Sequence, residues 1–205
     1  MIFRKTIKKM KKDWTIIESW LQENAPQTTV FLNKGVTNDE IANLEGKIGA
    51  KLPADFVEFY KIHNGASEEL GLIDTEELLS FERILEEWQV WKNLLDSHTF
   101  EDEEGVFTSD SPKTIKTDWW NPLWIPITYD GSGNHFCLDL DPTSKGNYGQ
   151  IIRMWHDDAE RTLEAISFSA WIGKFATDLQ KEVYVYSEDY GGIINKQNLL
   201  TLEQF

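Results

Sequence analysis

Apolar residues recur at helical spacing in three stretches of the chain. Near the start they follow one another every three or four residues along one side of a helix, which Asn24 and Pro26 end. A second stretch places an aromatic stripe opposite outward-facing acids, and a third follows a cap at Ser167 or Ser169. We expect all three helices to pack on the protein core. The stripes are Phe3, Ile7, Met10, Trp14, Ile17, Leu21; then Phe81, Ile84, Leu85, Trp88, Trp91, Leu95; then Trp171, Phe175, Leu179.

Two shorter helices are predicted from their end signals. Thr37 and Glu40 have the spacing of a capping box, which opens a helix that Gly49 closes. Pro53 suits the first position of the next helix, which Asn64 and Gly65 end. His63 lies near that end, where we expect it to interact with terminal carbonyl groups.

The stretch from 119 to 142 carries the clearest strand pattern. Residues 124–129 are rich in β-branched and aromatic side chains, and residues 130–134 read Asp-Gly-Ser-Gly-Asn, which predicts a hairpin turn. Residues 135–140 then alternate in character, and residues 150–155 form a third predicted strand. We expect one face of the second strand to be core and the other to be the place for function. The core face holds Phe136, Leu138 and Leu140, and the other holds His135, Cys137, Asp139 and Asp141.

These elements predict an α+β fold, with a central, mostly antiparallel sheet and flanking N-terminal and C-terminal helices. A chain of 205 residues that is 40% hydrophobic can bury one sizeable core. We expect a single domain over residues 14–182, a basic N-terminal extension of the first helix at 1–13, and a C-terminal extension at 183–205. The second extension has the pattern of a short hairpin around Gly191 and Gly192, and residues 99–118 read as an irregular connection.

Charge is distributed unevenly along the chain. The formal net charge is −15, but residues 1–12 hold six basic residues and no acid, so the rest carries 14 basic against 35 acidic residues. An acidic body repels nucleic-acid phosphate, so direct nucleic-acid binding is disfavoured and a basic partner is favoured. The simpler interpretation is that the acids only maintain solubility.

The compartment is predicted from what the sequence lacks. Apolar runs are far shorter than the roughly 20 residues that span a bilayer, and no secretory signal follows the basic start. Cys137 is the only cysteine, so an internal disulfide is impossible and a cytoplasmic location fits. The basic first turns also resemble a membrane-surface helix, although such a stripe more often packs on the protein itself.

The hairpin region offers two candidate metal sites. Asp130, Ser132 and Asn134 fall at positions 1, 3 and 5 of a calcium loop, but position 6 is His135 where glycine is needed. A metal-dependent or acid–base enzyme is the other possibility, but the spacing matches no known ligand motif, and polar turn residues usually bind backbone and water. That cluster would comprise His135, Asp139, Asp141, His156 and Asp157.

Phosphate and nucleophile motifs are incomplete. Gly131 and Gly133 lack the third glycine and the following helix of a dinucleotide site. Ser132 precedes a strand, whereas a nucleophile elbow requires a helix there. We therefore predict no cofactor and no enzymatic activity.

Four blocks in order carry a resemblance to a known family. They read LPADFVEFYKIHNG, WNPLWIPITYDGSGNHFCLDLDP, GQIIRMWHDD and an SF-x-x-W helix. In this order they resemble the SUKH superfamily, whose founding members are fungal Smi/Knr-like regulators of cell-wall glucan synthesis. Members of its bacterial branch are commonly immunity proteins that block a cognate toxin, often a nuclease.

The resemblance and the charge together give a first hypothesis and two alternatives. The first is an immunity protein that neutralises a basic toxin, because an acidic surface would steer a basic partner. The alternatives are a glucan-synthesis regulator or signalling scaffold of the same fold, and a metal-dependent enzyme at His135, Asp139 and His156. The oligomeric state is left open. The predicted contact residues are Glu68, Glu69, Glu76, Glu77, Glu101, Asp102, Glu103 and Glu104, with Asp130, Asn134, Asp139 and Asp157 around the turn.

Overall fold

The computed structural model describes the backbone of residues 2–202 and the side chains of residues 4–202. The side chain of Phe3, in the first predicted stripe, and residues 203–205 of the predicted C-terminal extension lie outside the described residues. All three predicted amphipathic helices are confirmed. The helices are α1 (Ile2–Asn24), α2 (Asn38–Ile48), α3 (Ala54–Tyr60), α4 (Phe81–Asp96), α5 (Phe168–Gln180) and α6 (Lys196–Leu202), with a 3₁₀ turn at Pro26–Phe31.

The predicted ends of α2 and the predicted cap of α5 are formed by the predicted residues. Helix α3 differs, since Pro53 is its N-cap and it ends at Tyr60, before the predicted Asn64 and Gly65. The Thr37 hydroxyl accepts a hydrogen bond from the backbone N–H of Glu40, and the Glu40 carboxylate accepts one from the N–H of Thr37, which completes the capping box. Gly49 ends α2 at φ +74°, a conformation that glycine adopts without strain. Ser167 caps α5 through the N–H of Ala170.

The strands form two larger sheets and one small hairpin. The strands are β1 (Gly71–Ile73), β2 (Glu76–Leu78), β3 (Glu101–Asp102), β4 (Gly105–Val106), β5 (Trp124–Pro126), β6 (Thr128–Tyr129), β7 (His135–Asp139), β8 (Gln150–Met154), β9 (Arg161–Ala165), β10 (Tyr184–Ser187) and β11 (Gly192–Asn195). One sheet has the order β10-β11-β1-β2-β6, the other has the order β5-β7-β8-β9, and β3 and β4 form the small hairpin. These strand pairs are antiparallel except β1 with β11. This confirms the predicted α+β class.

Residues 124–129 connect the two larger sheets. Their first half, β5, pairs with β7, and their second half, β6, pairs with β2. Between the halves, Ile127 donates its N–H to the carbonyl of Phe136 and accepts the N–H of Leu79, at 2.9 and 3.0 Å. The predicted hairpin therefore stands where the two sheets meet.

The prediction that only one face of β7 is buried is wrong. His135, Cys137 and Asp139 are fully buried on the face expected to be open, and Leu138 is fully buried on the other. Helix α4 covers the first face through Trp91, which contacts His135. Helix α5 packs on the opposite face, so this strand has helices on both sides.

The C-terminal hairpin belongs to the main sheet. Gly192 of β11 pairs with Gly71 of β1, and a Cβ atom added at Gly192 would meet the Gly71 carbonyl oxygen at 2.3 Å. Only glycine permits so close an approach of two backbones. Residues 184–195, set apart as an extension on sequence grounds, thus complete the five-stranded sheet.

Candidate functional site

The turn after β6 is held together by the carboxylate of Asp130. Its Oδ1 accepts the N–H groups of Ser132 and Asn134 at 2.8 and 3.0 Å, and its Oδ2 accepts the Asn134 amide at 2.7 Å. Burial acts to raise the pKa of Asp130, but the hydrogen bonds from Asn134 and Ser132 and the charge of Arg153 hold it below its ordinary value. The carboxylate oxygens that a calcium loop would direct at an ion are here bonded to N–H donors.

A buried ion pair lies beneath this turn. Arg153 on β8 donates to Glu76 on β2 at 2.6 Å, and the Thr128 hydroxyl donates to the other oxygen of Glu76 at 2.6 Å. The two charged side chains are only 8% and 9% exposed, and Asp130 lies 3.8 Å from Arg153. Burial raises the pKa of Glu76 against the lowering effect of Arg153 and Thr128. The pair connects two sheets through residues distant in sequence.

The Arg153 guanidinium also lies between two aromatic rings. It is 4.6 Å from the ring centre of Phe136 and 4.2 Å from that of Trp155, and both rings are partly exposed. Phe136 in turn packs on Trp171 of α5 at 5.5 Å. Cation–π contacts and an ion pair together fix this arginine in one orientation.

His135 is bonded on both ring nitrogens. Because the indole N–H of Trp91 can only donate, Nε2 of His135 accepts at 3.1 Å, and Nδ1 therefore carries the proton donated to the Thr128 carbonyl at 2.7 Å. Burial lowers the pKa of His135 to about 4. The imidazole is a neutral core group at physiological pH.

The alternative metal or acid–base cluster around His135 is not formed among the described residues. Asp139 accepts hydrogen bonds from the Gln150 amide and the Asp141 N–H, at 2.7 and 2.9 Å, and burial raises its pKa to about 6. His156 instead lies against the turn and contacts the Asn134 side chain at 3.0 Å. Among residues 4–202, no group of three or more His, Cys, Asp or Glu side chains could hold a metal ion.

The predicted contact residues divide into buried and exposed sets. Glu76, Glu77, Asn134 and Asp139 are each at most 8% exposed, so placing them on a contact surface was wrong. Glu76 and Glu77 face cations from other elements, Arg153 on β8 and Arg83 on α4 respectively. Asp130 is partly exposed. The exposed residues are Glu68, Glu69, Glu101, Asp102, Glu103, Glu104 and Asp157.

One shallow pocket gathers part of the exposed set beside the turn. Its volume is about 260 Å³, and Glu68, Glu77, Asp130, Arg83 and Tyr129 line it. Arg83 of α4 is 3.5 Å from Glu77 and also pairs with Glu86 and Glu87 at 2.6 and 2.9 Å. Sequence reasoning named neither Arg83 nor Arg153 as a site residue. A sequence signal was available for Arg83, because it and Lys92 are the only Lys or Arg residues between 68 and 104.

The exposed acids do not belong to one element. Glu68 and Glu69 precede β1, Asp157 follows β8, and the remaining four lie on the β3–β4 hairpin. Only Glu68 of the exposed set lines the pocket with Asp130. We call the turn 130–134 with Glu68, Glu69 and this pocket the hairpin-turn face.

The fold and these contacts define an α+β domain whose candidate acid–base groups are held by internal hydrogen bonds beneath an acidic surface. Among the described helices, none is both long and apolar enough to cross a bilayer. The sequence model of the SMI1 / KNR4 family (SUKH-1) matches residues 35–174. The chain belongs to this family, which confirms the resemblance.

Curated relatives match most of this chain. The "Glucan synthesis regulatory protein" of Neurospora crassa is 26% identical over 86% of this chain and 39% of its own length. The "Cell wall biosynthesis/cell cycle regulator smi1" of Schizosaccharomyces pombe is 26% identical over 88% and 38%. The "Cell wall assembly regulator SMI1" of Saccharomyces cerevisiae is 22% identical over 82% and 40%. The chain thus spans less than half of each relative, and these names favour the wall-regulator alternative over the toxin-neutralising hypothesis.

Proposed function

We propose that this chain is a non-catalytic protein-binding domain that acts in the regulation of cell-wall glucan synthesis. The observation that carries the proposal is the match, over 82% to 88% of the chain, to three relatives named as regulators of glucan or wall synthesis. Because the chain spans less than half of each relative, the regulatory role is inferred for the shared domain.

The bonding of the titratable groups supports binding rather than catalysis. A general base needs a lone pair that can reach a substrate proton. Both ring nitrogens of His135 are occupied, and both oxygens of Asp139 accept internal hydrogen bonds. Both residues are also fully buried, so a substrate could not approach them without local unfolding.

The hairpin-turn face is the surface that we propose for the partner. The carboxylates of Glu68 and Asp130 line its pocket, where the buried Glu77 faces the cation of Arg83. Arg83 already pairs with two further acids on α4, so the pocket retains an excess of negative charge. A lysine or arginine of a partner would fit there, and the charge of the whole chain would speed the encounter.

A domain replacement tests the regulatory role. The segment of the fission yeast relative that matches this chain is replaced by the chain, and wall glucan content is measured in cells that lack the native protein. We expect the chimera to restore glucan content. A chimera that accumulates as folded protein yet restores none would contradict the proposal.

Charge reversal tests the face within the same chimera. Glu68→Lys with Glu69→Lys should reduce both glucan content and the salt-sensitive capture of protein partners. The matched control is Glu103→Lys with Glu104→Lys, which makes the same charge change on the β3–β4 hairpin. If both double variants lose function equally, net charge matters and the face does not. Capture of a basic toxin domain in place of a wall protein would restore the first hypothesis.

A further inference from the structure

Strand β10 forms one edge of the five-stranded sheet. In the described part of the chain it pairs only with β11, with Val185 opposite Ile194 and Tyr186 opposite Ile193. The N–H of Lys196 donates to the Val183 carbonyl at 3.0 Å, which fixes the phase of the antiparallel ladder. Since hydrogen-bonded pairs alternate, Val183, Val185 and Ser187 turn their main-chain groups toward β11.

It follows that Tyr184 and Tyr186 direct their N–H and C=O groups away from the sheet. Within residues 4–202, no main-chain group of a loop or helix makes a hydrogen bond to these four groups. All residues of β10 are partly exposed. An edge of this kind is a template for one more strand.

A groove runs beside this edge. Its volume is about 590 Å³, and it lies between α1, the end of α5 and β10. Its lining includes Ile16 and Trp20 of α1, Leu179 of α5, and Tyr184 and Val185 of β10. An added strand lies about 4.8 Å from its neighbour, so the side chains of a strand paired with β10 would reach this lining.

Carboxylates outnumber cations around the groove. Glu23 and Glu182 line it, and Glu188 and Asp189 are exposed at the turn beyond β10. Among the groove-lining residues the cation is Lys196, and Lys181 adjoins Glu182. A bound segment is therefore favoured when it carries lysine or arginine.

We propose that β10 binds an extended, lysine- or arginine-bearing segment of a partner protein as an additional antiparallel or parallel strand. The outward groups of Tyr184 and Tyr186 supply the main-chain hydrogen bonds, and the groove receives alternate side chains of the segment. This site is separate from the hairpin-turn face and does not depend on the regulatory role proposed above.

The test begins with a displayed library of random heptapeptides panned on the full chain. We expect enriched peptides to combine basic and β-branched residues, with affinities then measured by fluorescence anisotropy of the synthetic peptides. Peptides are N-methylated either at their odd-numbered or at their even-numbered amides. Methylation of the set that faces β10 should weaken binding by more than about tenfold, and methylation of the other set should leave binding unchanged. Failure to enrich any peptide, or an equal loss of affinity for the odd-methylated and even-methylated peptides, would overturn the proposal.

A pair of variants tests the strand itself. Tyr186→Pro removes an outward N–H without breaking the pairing to β11, and proline is tolerated at sheet edges. Tyr186→Thr also loses the phenol but keeps the N–H. We expect only the proline variant to weaken the peptides by about tenfold, with circular dichroism confirming that both variants fold.

Three further outcomes distinguish this proposal from the alternatives. The Glu68→Lys, Glu69→Lys variant should bind the peptides as the wild type does, because those acids lie on the hairpin-turn face. A dimer in analytical ultracentrifugation that Tyr186→Pro dissociates would assign the edge to a second copy of the chain and overturn the partner segment. Equal peptide binding by the proline and threonine variants would exclude main-chain pairing at β10.

Discussion

Removal of the Glu76 carboxylate should destabilise the fold strongly, because it leaves Arg153 buried without its closest partner. The two side chains are only 9% and 8% exposed and are joined at 2.6 Å. Removing one member of such a pair costs about 3–5 kcal/mol. Asp130 remains 3.8 Å from the guanidinium and keeps part of the compensation, so we expect Glu76→Ala to cost about 3 kcal/mol.

Urea unfolding and thermal unfolding would measure this loss. For a domain of this size, a loss of about 3 kcal/mol lowers Tm by roughly 6–12 °C. The urea midpoint should fall while the m-value stays constant, since the surface exposed on unfolding is unchanged. The matched control is Asp96→Ala, which removes a carboxylate that pairs with Lys92 but is 59% exposed, and it should cost at most about 1 kcal/mol.

A double variant separates the charge from the packing. Glu76→Leu with Arg153→Met removes both charges and retains apolar volume, so it should recover much of the stability that Glu76→Ala loses. If Glu76→Ala costs no more than Asp96→Ala, the ion pair does not hold the sheets together and the reasoning fails.

Three further predictions concern stability. The pKa of His135 is about 4 in the folded state and 6.5 in the unfolded state, so its contribution to the free energy of unfolding is lost as pH falls from 6.5 to 4. The pKa of Asp139 is about 6 in the folded state and 3.8 in the unfolded state, so its contribution to the free energy of unfolding is lost as pH rises from 3.8 to 6. Asp139→Asn should therefore gain stability over wild type as pH rises across that window, and a constant difference in urea titrations would contradict this. Thr37→Ala should cost about 1 kcal/mol by loss of the capping box, measured by urea unfolding, whereas no change would mean that the cap is not needed. Gly65→Ala should prevent folding, because the added Cβ would lie 2.3 Å from the Leu78 carbonyl oxygen and the backbone there has φ +67°. Gly46→Ala lies on an open helix surface and should stabilise the protein. Equal thermal melts of the two variants by circular dichroism would refute this contrast.

Local patterns were sufficient to predict the elements that depend on nearby residues. Trp88 and Trp91 in the aromatic stripe of α4 are buried, as the spacing indicates, and the Thr37 capping box forms as predicted. The hairpin was predictable for the same reason, since the turn at 130–134 and the strands that it joins are adjacent in sequence. Each of these elements is specified within about 20 residues.

Features that depend on distant residues were not predictable in this way. Glu76 and Glu77 read as surface acids because Arg153, the partner of Glu76, lies 77 positions away and Arg83 reads as part of a solvated helix. Alternation along β7 indicated one open face, yet α4 and α5 cover both. The pairing of β11 with β1 is also long-range, and its only sequence trace is the glycine at each position, Gly71 and Gly192.

The strand shared by the two large sheets determines how the molecule opens. Residues 124–129 exchange hydrogen bonds with β7 in their first half and with β2 in their second. Separating the four-stranded sheet from this strand breaks the hydrogen bond from the Ile127 N–H to Phe136, and separating the five-stranded sheet breaks the one from the Leu79 N–H to the Ile127 carbonyl. The slowest native-state hydrogen exchange should therefore fall here, at the rate of global unfolding, so that both sheets melt as one cooperative unit.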